Sequence, residues 1–273
     1  WEPREKALYW VDWGGGPIHR YDPATGEVQT FEVDRPIVAL ARREQGGLLT
    51  IARTSLDLWD RETGEFTPLA GQPESDRPEL CYNDSVVDQQ GRLLVGTFNW
   101  PDVQEPDGSL WRVDPDGSLH RLDTGYATSN GLGLSPDGGT LYHAVTQHNH
   151  ILAYDYDHAT GTTSNRRVFV QVPAEEGLPD GLVVDAEGFV WCAFWDGWKL
   201  RRYDPDGVLE REYEFPVQLV ICPAFGGDDL ENLYVTTSWW GFEEEQRKEQ
   251  PLAGDMFVIK PGVKGRLEFP FKG

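Results

Sequence analysis

Three oxygen-bearing side chains, Asn83, Asn130 and Asp180, each begin a similar short segment of the chain. The segments read NDSVVDQQG, NGLGLSPDG and DGLVVDAEG. Carboxylate and amide oxygens are the ligands that a hard divalent cation takes in place of its hydration water. Asn and Asp also favour turns, because their side chains bond the backbone two residues on. A metal site therefore requires a fold that brings the three residues together.

A repeating pattern of apolar segments and turns predicts such a fold. Two short apolar segments and an acidic turn that ends in Gly return six times, beginning at Leu8, Leu48, Leu93, Leu141, Val190 and Leu233. Strand-rich repeats of about 40 to 50 residues are typical of propeller blades. The turns DPATG, DRETG and DPDG place Pro and Gly where hairpins need them. The sequence predicts an all-β protein, a six-bladed β-propeller of four-stranded antiparallel blades.

The segments that begin at Asn83, Asn130 and Asp180 precede the third, fourth and fifth repeats. Their apolar residues predict the innermost strand of each blade, whose first residues face the mouth of the central channel. We therefore expect the three side chains at one equivalent position around one metal ion. The repeats run through residues 1–273 without a linker, which predicts a single domain. We also expect further residues of the first blade before Trp1.

Charge and cysteine content narrow the possible partners. The chain has 24 basic and 46 acidic residues and a net charge of -22. Such a surface repels phosphate backbones and anionic lipids, so we expect neither nucleic acid nor a membrane as partner. Cys81, Cys192 and Cys222 lie far apart and form no CxxC pair, which argues against a disulfide framework. We expect a cytoplasmic protein, either a monomer or a small homo-oligomer.

The ordered motifs YNDSVVDQQGR, SNGLGLSPDG and PDGLVVDAEGFVW resemble the senescence-marker-protein/gluconolactonase/regucalcin family. The similarity extends over essentially the whole chain. It implies a six-bladed propeller and calcium- or zinc-dependent hydrolysis of sugar lactones. It assigns metal binding to Asn130 and Asp180, and contact with substrate or metal-bound water to Asn83. A further ligand, the Glu of a GEGPxW segment whose Trp matches Trp1, corresponds to a position upstream of this chain.

Three positions depart from the family pattern. Cys81 stands where relatives often have Arg, Ser85 replaces a Gly, and Val145 replaces an Asp in the strand after SNG. All three changes affect the substrate side, to which we assign Asn83 and Cys81.

Two further residues are candidates for substrate contact. We assign His148 of TQHNH and Trp195 to this role, since aromatic rings stack on sugar faces, although His148 also fits a blade loop and Trp195 also fits packing between blades.

The resemblance implies an enzyme of carbohydrate metabolism that opens a small-molecule lactone by metal-activated water. Asp180 would ligate the metal and take the proton from the attacking water as general base. Calcium or zinc is expected, and oxygen ligands also accept manganese or magnesium. One alternative is a calcium-dependent phosphotriesterase or another esterase. A second is a non-catalytic metal- or ligand-binding propeller, which the changes at Cys81, Ser85 and Val145 favour.

Overall fold

The computed structural model describes residues 1–273 and consists almost entirely of short antiparallel strands. The strands form six separate sheets in chain order. Four sheets have four strands, and the first and the sixth have three. This architecture confirms the predicted six-bladed β-propeller, while the prediction of four strands in every blade is wrong for two of the six.

The first three sheets contain strands β1 to β11. Their bounds are β1 (Leu8–Val11), β2 (Ile18–Asp22) and β3 (Glu27–Phe31) in the first sheet, β4 (Ile37–Arg42), β5 (Leu48–Ala52), β6 (Ser55–Trp59) and β7 (Phe66–Gly71) in the second, and β8 (Leu80–Val87), β9 (Leu93–Asn99), β10 (Gly108–Val113) and β11 (Leu119–Tyr126) in the third.

The last three sheets contain strands β12 to β22. Their bounds are β12 (Ser129–Leu134), β13 (Thr140–Val145), β14 (His150–Asp157) and β15 (Thr162–Gln171) in the fourth sheet, β16 (Leu178–Val184), β17 (Val190–Trp195), β18 (Lys199–Tyr203) and β19 (Leu209–Glu214) in the fifth, and β20 (Leu219–Gly226), β21 (Asn232–Ser238) and β22 (Met256–Ile259) in the sixth.

Helical structure is confined to three short segments. These are two 3-10 turns, Thr146–His148 and Ala174–Glu176, and one helix, α1 (Glu244–Glu249). No helix has the length and apolar character needed to cross a bilayer.

The predicted turn chemistry closes the hairpins. Between β6 and β7 the N–H of Gly64 donates to the carbonyl of Asp60 at 2.8 Å, and Gly64 has a φ of 72°. The Asp60 carboxylate accepts the N–H groups of Glu62 and Thr63 at 2.8 and 2.9 Å. Positive φ is costly for residues with a Cβ, which explains the Gly at the end of this turn.

The sixth sheet has no fourth strand. The segment KPGVKGRLEFPF follows β22 directly. Pro261 and Pro270 have no N–H to donate to a ladder, and Gly262 and Gly265 weaken a strand. The composition of this segment therefore disfavours the outer strand that the repeat predicts.

The chain divides into two compact units. Unit 1 comprises Trp1–Ser129, Tyr156–Thr163 and Glu268–Gly273, and unit 2 comprises Asn130–Asp155 and Ser164–Leu267. Each unit has its own apolar core. The core of unit 1 includes Tyr82, Val87, Leu93, Val95, Val113 and Phe271, and that of unit 2 includes Leu182, Val184, Val190, Cys192, Phe194 and Tyr203.

A buried Asp anchors the turn after β16. The carboxylate of Asp185 accepts hydrogen bonds from Trp191 Nε1 at 2.9 Å and from Arg202 Nη2 at 2.7 Å. It also accepts the backbone N–H groups of Glu187 and Phe189 at 2.9 and 3.0 Å. Asp185 is fully buried, so this network fixes one end of the strand that carries Asp180.

The third sheet contains the same device. Asp88 follows β8, is fully buried, and accepts hydrogen bonds from Arg92 Nε and Tyr156 Oη, each at 2.7 Å. The strands that carry Asn83 and Asp180 are thus anchored in the same way.

We expect Asp185→Ala to lower the free energy of unfolding by about 3 kcal/mol, because it leaves the buried Nε of Arg202 and Nε1 of Trp191 without their acceptor. Urea denaturation at pH 7 measures the loss. The matched control is Asp204→Ala, which removes only the bonds to the N–H groups of Asp206 and Val208 and should cost about 1 kcal/mol. Equal losses in the two variants would contradict the anchoring role of Asp185.

Candidate functional site

Asn83 and Asp180 occupy the same kind of backbone irregularity. In β8, Asn83 and Asp84 together oppose a single residue of β9, and in β16, Asp180 and Gly181 together oppose a single residue of β17. Such β-bulges re-aim side chains and are frequent beside binding sites. The corresponding shifts in β4 and β20 fall at apolar residues, whereas Asn83 and Asp180 are polar residues at the same place in β8 and β16.

The backbone next to Asn130 lies directly against that of Asp180. A Cβ added to Gly131 would stand only 2.5 Å from the carbonyl oxygen of Asp180. Only Gly permits such an approach of β12 to β16. Unit 2 thus brings together the two residues that the sequence assigns to the metal. The close approach also explains why the SNG motif has a Gly at its third position.

A chain of hydrogen bonds orients the Asn130 side chain. Its Nδ2 donates to Thr146 Oγ1 at 3.2 Å, and the Thr146 hydroxyl donates to the carbonyl of Pro179 at 2.9 Å. The amide nitrogen is therefore directed toward Thr146, and Oδ1 accepts no hydrogen bond. An amide held in this way presents its oxygen as a potential ligand. Thr146 was not identified from the sequence, because a Thr at the end of a strand carries no distinguishing signal.

Asp180 is 6% exposed. Burying a carboxylate is costly unless a cation or hydrogen bonds compensate its charge, which fits a metal ligand. No group of three or more His, Cys, Asp or Glu side chains among residues 1–273 could hold a metal ion. Asn130 and Asp180 therefore fit two oxygen ligands of a hard cation but form only part of a coordination sphere.

Asn83 lies in unit 1 and has both ends of its amide engaged. Trp13 Nε1 donates to Oδ1 at 3.1 Å, and Nδ2 donates to the carbonyl of Ser129 at 2.9 Å. Trp13 uses one of the two lone pairs of the oxygen and the Ser129 carbonyl uses one of the two N–H groups, so the side chain keeps one acceptor and one donor position. The oriented amide can therefore donate a hydrogen bond to a substrate.

Cys81 is 4% exposed, and burial raises the pKa of its thiol to about 12. The side chain is thus a neutral thiol at pH 7 and neither a nucleophile nor a thiolate ligand. It provides a small apolar surface at this position.

His148 ends the 3-10 turn that Thr146 begins, at the same end of the fourth sheet as Asn130. Its ring centroid lies 5.5 Å from that of His150. Burial, and then the charge of Arg166, lowers the pKa of His148. For His150 burial is again the main cause, followed by His148. Both rings are therefore neutral at pH 7, and a neutral His148 is suited to hydrogen bonding with a sugar hydroxyl.

Trp195 ends β17 and pairs with Leu178, two residues before Asp180. It is half-buried and makes an edge-to-face contact with Trp240 at 6.1 Å. Val145 is fully buried and pairs with His150. Unit 2 therefore holds Asn130, Asp180, His148 and Trp195 near the same ends of neighbouring strands.

Comparison with known proteins reveals extensive similarity. A family model described as SMP-30/Gluconolactonase/LRE-like region matches residues 1–239. Regucalcin of Xenopus laevis is 36% identical over 279 residues, which cover 100% of this chain and 93% of that protein. The 6-deoxy-6-sulfogluconolactonase of Pseudomonas putida is 34% identical, covering 100% of this chain and 93% of its own.

Two further relatives complete the comparison. The pentonolactonase of Haloferax volcanii is 34% identical, covering 98% of this chain and 91% of its own. A crystal structure of regucalcin from Agrobacterium tumefaciens, described as a calcium-binding protein, has a TM-score of 0.95 at 30% identity and covers 100% of this chain and 92% of its own. These matches confirm the resemblance that the sequence motifs indicated.

We expect iodoacetamide at pH 8 to leave Cys81 and Cys192 of the folded protein unmodified, because both are buried and burial raises the pKa of both thiols. Cys222 is partly exposed and should react. Mass spectrometry of the peptides measures the labelling, and the urea-denatured protein, in which all three should react, is the control. Labelling of Cys81 as fast as that of Cys222 would contradict a buried neutral thiol.

Proposed function

Because the chain belongs to the SMP-30/gluconolactonase/LRE-like family, we propose that it is a lactonase that uses one divalent metal ion to hydrolyse a sugar lactone. The observation that carries the proposal is the pair Asn130 and Asp180 in unit 2, an oriented amide oxygen and a buried carboxylate on adjacent strands. Relatives named as a pentonolactonase and a 6-deoxy-6-sulfogluconolactonase support the reaction class.

Asn130 Oδ1 and the Asp180 carboxylate would supply two of the ligands that hold the ion. A bound divalent cation polarises the lactone carbonyl and lowers the pKa of bound water. The description of the Agrobacterium relative as calcium-binding supports calcium, and oxygen ligands also accept zinc, manganese or magnesium.

Side chains of this protein would carry out the other steps of the hydrolysis. Asp180 accepts the proton of the attacking water as general base, and water adds to the carbonyl carbon. The ring C–O bond then breaks, and the ring oxygen takes the proton from Asp180 and leaves as a hydroxyl. Asn83 would donate the second N–H of its amide to the substrate, and its hydrogen bond from Trp13 keeps the amide oriented. His148 and Trp195 contact the sugar.

We expect Asp180→Asn to lower kcat/KM for glucono-1,5-lactone by at least about a thousandfold, because it removes the negative charge of a metal ligand and the base. The full chain is loaded with calcium, dialysed, and measured for metal content and for hydrolysis by pH-stat. Metal content should fall well below that of the wild type. Asp206→Asn, in an exposed turn of the same unit, is the matched control and should change neither.

A second variant tests the ligand assignment even if Asp180→Asn does not fold. Thr146→Val removes the hydroxyl that orients Asn130 and should weaken metal binding by about 10- to 100-fold while the protein stays folded. Thr140→Val, at the opposite end of β13, is its control. A metal affinity of Asp180→Asn equal to that of the wild type would refute the ligand assignment. Metal binding with hydrolysis of paraoxon but of no lactone would identify a phosphotriesterase, and metal binding without hydrolysis a binding propeller.

A further inference from the structure

Arg53 lies beside the segment that carries Cys81 and Asn83. It directly follows β5, its N–H donates to the carbonyl of Pro36 at 3.0 Å, and its carbonyl accepts the N–H of Tyr82 at 2.9 Å. Tyr82 stands between Cys81 and Asn83. The backbone of Arg53 is therefore fixed next to the substrate-side residues of unit 1.

Two tryptophans hold the Arg53 guanidinium. Its Cζ lies 4.8 Å from the ring centroid of Trp13 and 4.5 Å from that of Trp100, and the two rings are 4.5 Å apart. Cation–π contacts of this kind restrict the side chain without using its N–H donors. Because Trp13 also donates to Asn83 Oδ1, one indole positions both Arg53 and Asn83.

The guanidinium has no anionic partner in the structure. Arg53 forms no ion pair with any carboxylate of residues 1–273, and its Nε is buried without a hydrogen-bond acceptor. This absence is unusual in a chain with a net charge of -22. Arg202, by contrast, binds the carboxylates of Asp185 and Glu187. A buried N–H donor without an acceptor costs free energy of folding. Such a donor is therefore expected where a bound ligand supplies the acceptor.

The neighbouring residues leave the guanidinium available to a ligand. Cys81 and Asn83 carry no charge that would compete for it. The positive charge of Arg53 lowers the pKa of the Cys81 thiol, against the larger effect of burial.

We infer that Arg53 determines substrate specificity by binding an anionic group, such as a carboxylate, carried by the lactone in addition to its ring ester. The inference rests on the proposed lactonase function. A planar guanidinium whose position is fixed by two indoles matches the paired oxygens of a carboxylate, and charge-assisted hydrogen bonds of this kind are stronger than those to a neutral hydroxyl.

The test compares two lactones that differ only at C6. D-glucaro-1,4-lactone carries a carboxylate there, and D-glucono-1,4-lactone carries a hydroxymethyl group. In the full chain, Arg53→Gln should lower kcat/KM for glucaro-1,4-lactone by roughly 10- to 100-fold and that for glucono-1,4-lactone by less than about threefold. Arg53→Lys keeps the positive charge but loses the paired N–H donors of the guanidinium. Its kcat/KM for glucaro-1,4-lactone should lie between those of the wild type and Arg53→Gln.

Arg121→Gln is the matched control. It removes another guanidinium of unit 1 that lies over a tryptophan, 5.8 Å from the ring of Trp111, on the outer strand β11. It should leave both lactones unaffected, and thermal unfolding confirms that each variant is folded. An equal loss for both lactones in Arg53→Gln, or no loss for either, would overturn the inference.

A binding measurement tests the role of Arg53 even if the protein is not a lactonase. If the wild type hydrolyses neither lactone, the lactonase proposal fails, and calorimetric titration with glucarate, with glucitol as the neutral counterpart, decides the role of Arg53. Binding of glucarate that weakens at least tenfold in Arg53→Gln supports the inference. Equal affinities, or no binding to the wild type, overturn it.

Discussion

The approach of β12 to β16 at Gly131 is the constraint on which the candidate metal site depends. No side chain fits between the two backbones there, since a Cβ would stand 2.5 Å from the Asp180 carbonyl oxygen. The same contact sets Asn130 beside the strand of Asp180. The hydrogen bonds from Asn130 through Thr146 to the Pro179 carbonyl then fix the direction of the amide. A backbone contact thus determines where the two candidate oxygen ligands lie, and the Thr146 hydroxyl determines the direction of the Asn130 amide.

The buried aspartates Asp88 and Asp185 complement this contact at the other ends of the edge strands. Each carboxylate binds a guanidinium, an aromatic donor and two backbone N–H groups. Each also lies just beyond the strand whose bulge carries Asn83 or Asp180. The two ends of β8 and of β16 therefore have separate roles. The end next to the buried Asp stabilises the fold, and the end with the bulge directs the Asn83 or Asp180 side chain.

Much of the fold could be predicted from the sequence because its signals are local. The six apolar repeats and the Asp-to-Gly turns specify strands and hairpins from neighbouring residues alone, as the Asp60–Gly64 turn illustrates. The three-stranded sixth sheet was missed because the repeat count ignores Pro261 and Pro270, which disfavour a further strand. The candidate residues Asn83, Asn130 and Asp180 were found by their repeat positions.

Contacts between distant segments could not be predicted in this way. The bond from Trp13 to Asn83 joins residues 70 positions apart, and that from Thr146 to Pro179 joins residues 33 apart. Neither Thr146 nor Arg53 belongs to a motif, so only the three-dimensional arrangement reveals what they do. The sequence likewise predicts Asn83 as a substrate contact without showing that Trp13 and the Ser129 carbonyl orient its amide.

We propose that Asn130 and Asp180 ligate one divalent ion. Anomalous scattering from crystals of the protein grown with manganese chloride tests this ligation directly. We expect one strong peak within about 2.0–2.6 Å of both Asn130 Oδ1 and an Asp180 carboxylate oxygen. A map without a peak at these atoms, from crystals of a protein that hydrolyses lactones, would contradict it.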